Sequence, residues 1–194
     1  MPTLIKSQSA IELLKADHKK VKALFDQFEE ASDKKAKKKI VEEALNELKV
    51  HAAIEEEIFY PAVRHELEDK EGLMDEADEE HHVAKVLIAE LELMSGDEEH
   101  YDAKFTVLAE NVRHHIKEEE GETLPKAKRT DIDFDVLGEQ MADRKQELMS
   151  SGVPADAEMK MVQKSGLRGD SPAQNAERSF EVPKKSAKGE RHGK

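Results

Sequence analysis

The chain contains no cysteine and no tryptophan, only two tyrosines and six phenylalanines in 194 residues, and no apolar run of membrane-spanning length. Each absence removes a class of protein. Without cysteine there is neither a disulfide framework nor a thiolate metal site, so any metal must be held by nitrogen and oxygen. The opening MPTLIKSQSAIELLKADHKK has no stretch long enough for the apolar core of a signal peptide, and nothing later could cross a bilayer. The chain therefore reads as soluble and cytoplasmic, with no membrane partner. An aromatic content of 4% beside 39% charged residues, rich in Glu, Lys, Ala and Leu, is the balance of an all-α protein.

Charge is unevenly placed. Residues 151–194 hold nine Lys/Arg against six Asp/Glu, whereas residues 1–150 hold 22 against 38, so a strongly acidic body carries a mildly basic tail. An acidic body disfavours nucleic acid, which is bound by replacing its counterions with a basic surface. The one local exception, KKAKKK at 34–39, reads as a solvated turn where a loop enters a helix.

Apolar residues recur at helical spacing in four blocks. The first opens at Ser9, with Glu12 completing a capping box, carries Ile11, Leu14, His18, Val21, Phe25 and Phe28 on one stripe, and ends near Ala31. The second starts from Ser32 or Asp33 and points Ile40, Ala44, Leu48, His51, Glu55, Ile58 and Ala62 inward, with Pro61 as a potential bend. A third follows Gly72, with Met74, Ala77, His81, Ala84, Ile88 and Leu91 on one face, and stops at Ser95-Gly96. The fourth is capped by Ser95 or Asp97, runs through Phe105, Leu108, Val112, His115 and Glu119, and ends at Gly121. Four helices over residues 1–125 follow. Residues 126–150 hold a weaker amphipathic pattern through Phe134, Leu137, Met141 and Leu148, an accessory helix outside these four. Residues 151–194 have few large apolar side chains and read as a disordered tail.

The first two helices repeat in the next two. His18 precedes His51 by 33 residues and His81 precedes His115 by 34; Val21, Leu24, Phe25 and Phe28 follow His18 at the offsets at which Ala84, Leu87, Ile88 and Leu91 follow His81. The alignment selects His81 over His82 and, anchored on Pro61 and Pro125, His115 over His114. A glutamate four residues after a histidine is weak evidence alone, because His51, His114 and His115 all have one in this Glu-rich chain. Position is stronger evidence. His18, His51, Glu55, His81, His115 and Glu119 each take an apolar place on an inward stripe, and two buried carboxylates side by side require positive charge between them.

No Lys or Arg lies on those stripes, so metal ions are the natural source of that charge. Imidazole and carboxylate suit iron, manganese or zinc, and two glutamates can each bridge a metal pair roughly 3.5–4 Å apart. Such a ligand set leaves coordination positions vacant for O2, peroxide or nitric oxide. His82 and His114 lie about 100° around the helix from their matched neighbours and read as surface or supporting residues. Glu56, Glu57, Glu118 and Glu120 are expected to face solvent, Tyr60 reads as a core-edge residue, and Asp17 and Glu80 as local orienting groups or surface charge. His65, His100 and His192 carry no such pattern.

The order His, HxxxE, His, HxxxE over residues 9–125 resembles the hemerythrin-like, or HHE cation-binding, proteins. FDVLGEQMADRKQELM is similar to the helix that follows the bundle in many bacterial members. The resemblance implies an antiparallel up-down four-helix bundle over residues 1–125 and a non-haem di-iron centre, oxo- or hydroxo-bridged, held by the six residues named. It also implies a small ligand such as O2, peroxide or nitric oxide, for storage, scavenging or sensing. An enzyme on the same site, such as a ferroxidase, a peroxide-decomposing activity or a nitric oxide reductase, is the alternative. A metal-free interaction bundle is the third reading. Respiratory hemerythrins have five histidines and an aspartate, so reversible O2 carriage does not carry over to this ligand set.

Overall fold

The computed structural model describes residues 8–67 and 72–165, and among them there are helices and no strands. Helix α1 (Ala10–Glu30) begins at the capping box: the Ser9 side chain accepts from the Glu12 amide while the Glu12 carboxylate accepts from the Ser9 amide, and Ala31 closes the other end. Helix α2 (Lys34–Ile54) starts from Asp33, whose carboxylate accepts the Ala36 amide at 2.8 Å. The lysine run is thus the first turns of a helix rather than a turn. Its charges oppose the helix dipole, but they are met from outside, with Lys37 2.5 Å from Asp102 and 4.6 Å from the Phe28 ring centroid.

Helices α1 and α2 form one antiparallel hairpin, and α4 (Leu73–Glu92) and α5 (Tyr101–Glu118) form the other. The second pair packs α4 against α2 and α5 against α1, closing a four-helix bundle. Helix α5 starts later than its candidate caps Ser95 and Asp97 suggest. The Glu98 carboxylate accepts the Ser95 and Gly96 amides at 2.6 and 3.2 Å and holds that segment as a turn, so the helix begins only after His100, at φ 71°.

The fourth helix passes its expected end at Gly121, and both helices that lead to a glutamate ligand candidate continue through a widened turn. After α2 comes a π-helical turn, Glu55–Phe59, then α3 (Tyr60–Glu66); after α5 comes a second, Glu119–Thr123, then α6 (Leu124–Ala127). The cause is the proline in each half. Pro61 and Pro125 have no amide proton and crowd the carbonyl four residues back, so the chain takes one wider turn in which the Tyr60 amide reaches Glu55 O and the Leu124 amide reaches Glu119 O. Pro61 therefore widens the helix rather than bending it away.

Helix α7 (Phe134–Ser151) lies against α1, α2 and the first π turn, burying Leu137, Met141 and Leu148. Its Gly138 is required there: a Cβ would meet Gln8 O at 2.3 Å and Ala10 N at 2.6 Å. Residues 157–165, within the segment expected to be disordered, form α8 (Ala157–Ser165) on α4, started by Asp156 accepting the Met159 amide at 2.7 Å and anchored by buried Val162. One anchoring side chain is too little for composition to register. Residues 166–194, and with them the rest of the tail expectation and His192, lie outside the described residues.

The apolar core divides into two clusters, one around Phe25, Phe28 and Phe105, the other around Leu14, Ile54, Phe59 and Leu124. The inward histidines and glutamates lie between them.

Candidate metal centre

His18 and His81 lie near the middle of α1 and α4, His51 and His115 lie in the last turns of α2 and α5, and Glu55 and Glu119 are the first residues of the two π turns. All six are buried; Glu55 has 0% exposure. Glu55 divides its carboxylate between the halves of the bundle. Its Oε1 is 3.1 Å from His51 Nε2 and its Oε2 is 3.3 Å from His81 Nε2. Two triads of potential ligand atoms result, His18–His51–Glu55 and Glu55–His81–His115, with Glu55 common to both. Glu119 Oε2 closes the first from the opposite side, 3.1 Å from His18 Nε2.

These approaches are close without being hydrogen bonds. His18 Nε2, both His51 ring nitrogens and all four oxygens of Glu55 and Glu119 are buried without a hydrogen-bond partner among the described residues. Leaving such atoms unsatisfied costs about 1–3 kcal/mol each, more for charged ones. No Lys or Arg is buried among the described residues to relieve them. Lone pairs that converge on shared points, rather than on one another, fit bound cations.

The outer ring nitrogens complete the pattern. His18 Nδ1 is 2.9 Å from Glu120, His81 Nδ1 2.9 Å from Glu56 and His115 Nδ1 2.7 Å from Glu80; His51 Nδ1 is 3.6 Å from Asp17, within reach of its charge but beyond hydrogen-bond distance. Each leading histidine takes its carboxylate from the other half of the repeat, and each trailing histidine takes it from its own. A carboxylate on Nδ1 fixes the tautomer that leaves Nε2 free for a metal. Each carboxylate also meets a cationic or titratable side chain: Lys22 lies 3.2 Å from Glu120, Lys85 2.5 Å from Glu56, His114 3.6 Å from Glu80, and Lys145 of α7 pairs with Asp17.

Glu56 and Glu120 were expected to face solvent, and the structure corrects this: the widened turn brings each back over a histidine of the opposite half. The signal was in the sequence, as Asp17-His18 with Glu55-Glu56 and Glu80-His81 with Glu119-Glu120, an acidic residue beside the first histidine and beside the glutamate of each half. Glu57 and Glu118 do sit at the surface, pairing with Arg144 and His114. His82 and His114 are half-exposed, bound to Glu158 at 2.7 Å and Glu118 at 3.2 Å. His114–Glu118 is thus the ordinary surface HxxxE contact, separated from its neighbour by burial alone.

Tyr60, expected at the core edge, is fully inside, its hydroxyl 3.4 Å from His81 Nε2 and 3.3 Å from His115 Nε2. Burial, then the charges of Glu55 and Glu119, push its pKa well above the usual phenol range, so it keeps its proton. Its counterpart in the repeat is Leu124, also buried. The phenol thus lies at the His81–His115 end, and the matching position of the repeat is a hydrocarbon in the core.

The electrostatics ask for positive charge. Burial opposes a charged His51, yet Glu55, Asp17 and Glu119 hold its pKa up to about 10; His81, likewise opposed by burial, is held at about 9 by Glu55 and Glu56. Glu55 is drawn well below the carboxylate range against its burial by His51 and His81, whereas burial and the charge of Glu55 push Glu119 up.

The family described as the hemerythrin HHE cation binding domain matches residues 9–127. A crystal structure of a hemerythrin HHE cation-binding-domain protein from Mycobacterium kansasii superposes with a TM-score of 0.63 at 26% identity, over 84% of this chain and 95% of that one. A DNA nickase from Nostoc sp. is 28% identical over 111 residues, 56% of this chain; the chain matches only 30% of that protein's length. The chain belongs to the hemerythrin HHE cation-binding family.

Proposed function

We propose that His18, His51, Glu55, His81, His115 and Glu119 hold two iron ions and that the pair binds O2 or a related small ligand, peroxide or nitric oxide. The observation that carries this reading is the Glu55 carboxylate, split between two pairs of Nε2 atoms with no hydrogen bond of its own. A bound iron pair supplies redox change and exchangeable coordination positions. The chain supplies the rest. The outer carboxylates hold the imidazoles in the ligating tautomer, the two apolar clusters exclude bulk water, and the Tyr60 hydroxyl offers one proton at the His81–His115 end.

Iron content of anaerobically purified protein, followed by its spectrum on exposure to O2, tests the reading. About two irons per chain and a new charge-transfer band are expected; a metal-free protein insensitive to chelators would remove it. Glu55→Ala and Glu119→Ala should each lose the dinuclear site, and retention of both metals by either contradicts the assignment.

The buried, protonated phenol on one side favours turnover as a second reading: when two peroxides disproportionate to O2 and water, one supplies the electrons that reduce the other, and the departing oxygen takes a proton that the Tyr60 hydroxyl can give and the oxidised peroxide can return. Under it, Tyr60→Phe retains metal but slows peroxide consumption, whereas a simple binding protein shows no sustained consumption to slow. Nicking of DNA is not part of the proposal: the matched region is a minor part of the nickase, and the acidic body is poorly suited to a polyanion.

A further inference from the structure

The two halves of the repeat differ beside the histidines. Ile116 follows His115, but Ala52 follows His51; Val21 stands three residues after His18, but Ala84 stands three after His81. All four line one cavity of about 250 Å³, with the four imidazoles on its wall and Val153, Pro154, Ala155 and Asp156, between α7 and α8, on its far side. The space exists because α2 and α4 carry alanine where α5 and α1 carry β-branched side chains. Its remaining inner lining is largely hydrocarbon, including Leu48, Ile88 and Val112.

Size is informative. A water takes about 30 Å³ of liquid, and a diatomic ligand is of that order, whereas an apolar cavity of about 150 Å³ is known to take benzene. Even with two metal ions, each smaller than a water molecule, held at the imidazoles, the space is several times larger than O2, nitric oxide or hydrogen peroxide requires. Charge narrows the occupant further. Lys49 and Lys85, the lysines on its wall, are paired with Glu92 and Glu56, and the carboxylates around the histidines repel an anion.

We propose that this chamber binds a compact, uncharged organic molecule with an aryl or branched-alkyl body and one hydroxyl or hydroperoxyl head, the head lying against the imidazoles. The inference deepens the metal-centre reading and rests on it for what the head would meet, but the chamber itself is a property of the side chains.

Calorimetric titration of the full chain with 2-phenylpropan-2-ol, with metal content measured on the same preparation, tests it. Saturable binding is expected, weakened about tenfold or more in Ala52→Ile/Ala84→Val, which gives this wall the residues of the other half. No saturable binding to the unaltered protein overturns the proposal, as does undiminished binding to the double variant with a native circular dichroism spectrum. Should the double variant not fold, Ala84→Val alone decides: weaker binding supports the chamber, unchanged binding overturns it. Metal-loaded protein that ignores the probe overturns the chamber and leaves the metal reading standing. Protein that binds the probe but takes up no iron on titration supports the chamber and overturns the metal reading.

Discussion

Glu56 and Glu57 are adjacent, identical in type and equally ordinary in composition, yet they should behave differently. Glu56 accepts from His81 Nδ1, while Glu57 forks with Arg144 at the surface. Glu56→Gln is predicted to weaken metal affinity by about 10–100-fold in a chelator competition, and Glu57→Gln to leave it nearly unchanged. Equal affinities for the two variants would remove the orienting role. The same ring nitrogens set a pH dependence. In metal-free protein the folded-state pKa values of His51 and His81, about 10 and about 9, lie above the ordinary imidazole value of about 6.5. Their stabilisation is fully present below the unfolded value and is lost as pH rises through the folded values. Denaturant midpoints of metal-free protein should therefore fall between pH ~6.5 and ~10, and metal uptake near neutrality should release protons, measurable with an indicator dye. A midpoint flat across that window would contradict the charged network.

Helix α7 is tied to the centre rather than merely laid on the bundle. Lys145 pairs with Asp17, which faces His51, and Arg144 holds Glu57 on the first π turn. Gly138 permits the approach, since any Cβ would strike the backbone before α1. Gly138→Ala is predicted to cost about 1–3 kcal/mol by overpacking, outweighing its gain in helix propensity, and to lower metal affinity through the displaced Lys145. Thermal melts with and without metal check both effects; a more stable variant with unchanged affinity would show that α7 docks elsewhere. The existence of α7 was legible from Phe134, Leu137, Met141 and Leu148, because periodicity reports a buried face. Its partner was not, because periodicity does not say what covers the face. The π turns were hidden for a related reason: the two prolines are visible in sequence, but whether a helix breaks, bends or widens depends on what its far side must stay packed against.

Across the whole molecule, stability should depend on metal. The buried carboxylates repel until cations join them, and a ligand present at a thousand times its dissociation constant stabilises by about 4 kcal/mol. Chelation is thus predicted to lower the melting temperature by many degrees, and readdition of iron to restore it; a chelator-insensitive melt would instead favour a metal-free bundle. The acidic body predicts no measurable retardation of duplex DNA at physiological salt. Among the described residues no helix is long and apolar enough to cross a membrane.

Sequence by itself determined the four bundle helices, α7 and the six inward polar residues. Those follow from local periodicity and from an internal repeat, both written in the order of residues. Which of the adjacent acids turn back toward the histidines, where Tyr60 places its hydroxyl, and where two alanines leave room were decided by tertiary structure. These are contacts between helices, set by the widened turns and by packing across the bundle, and no spacing along one helix encodes them.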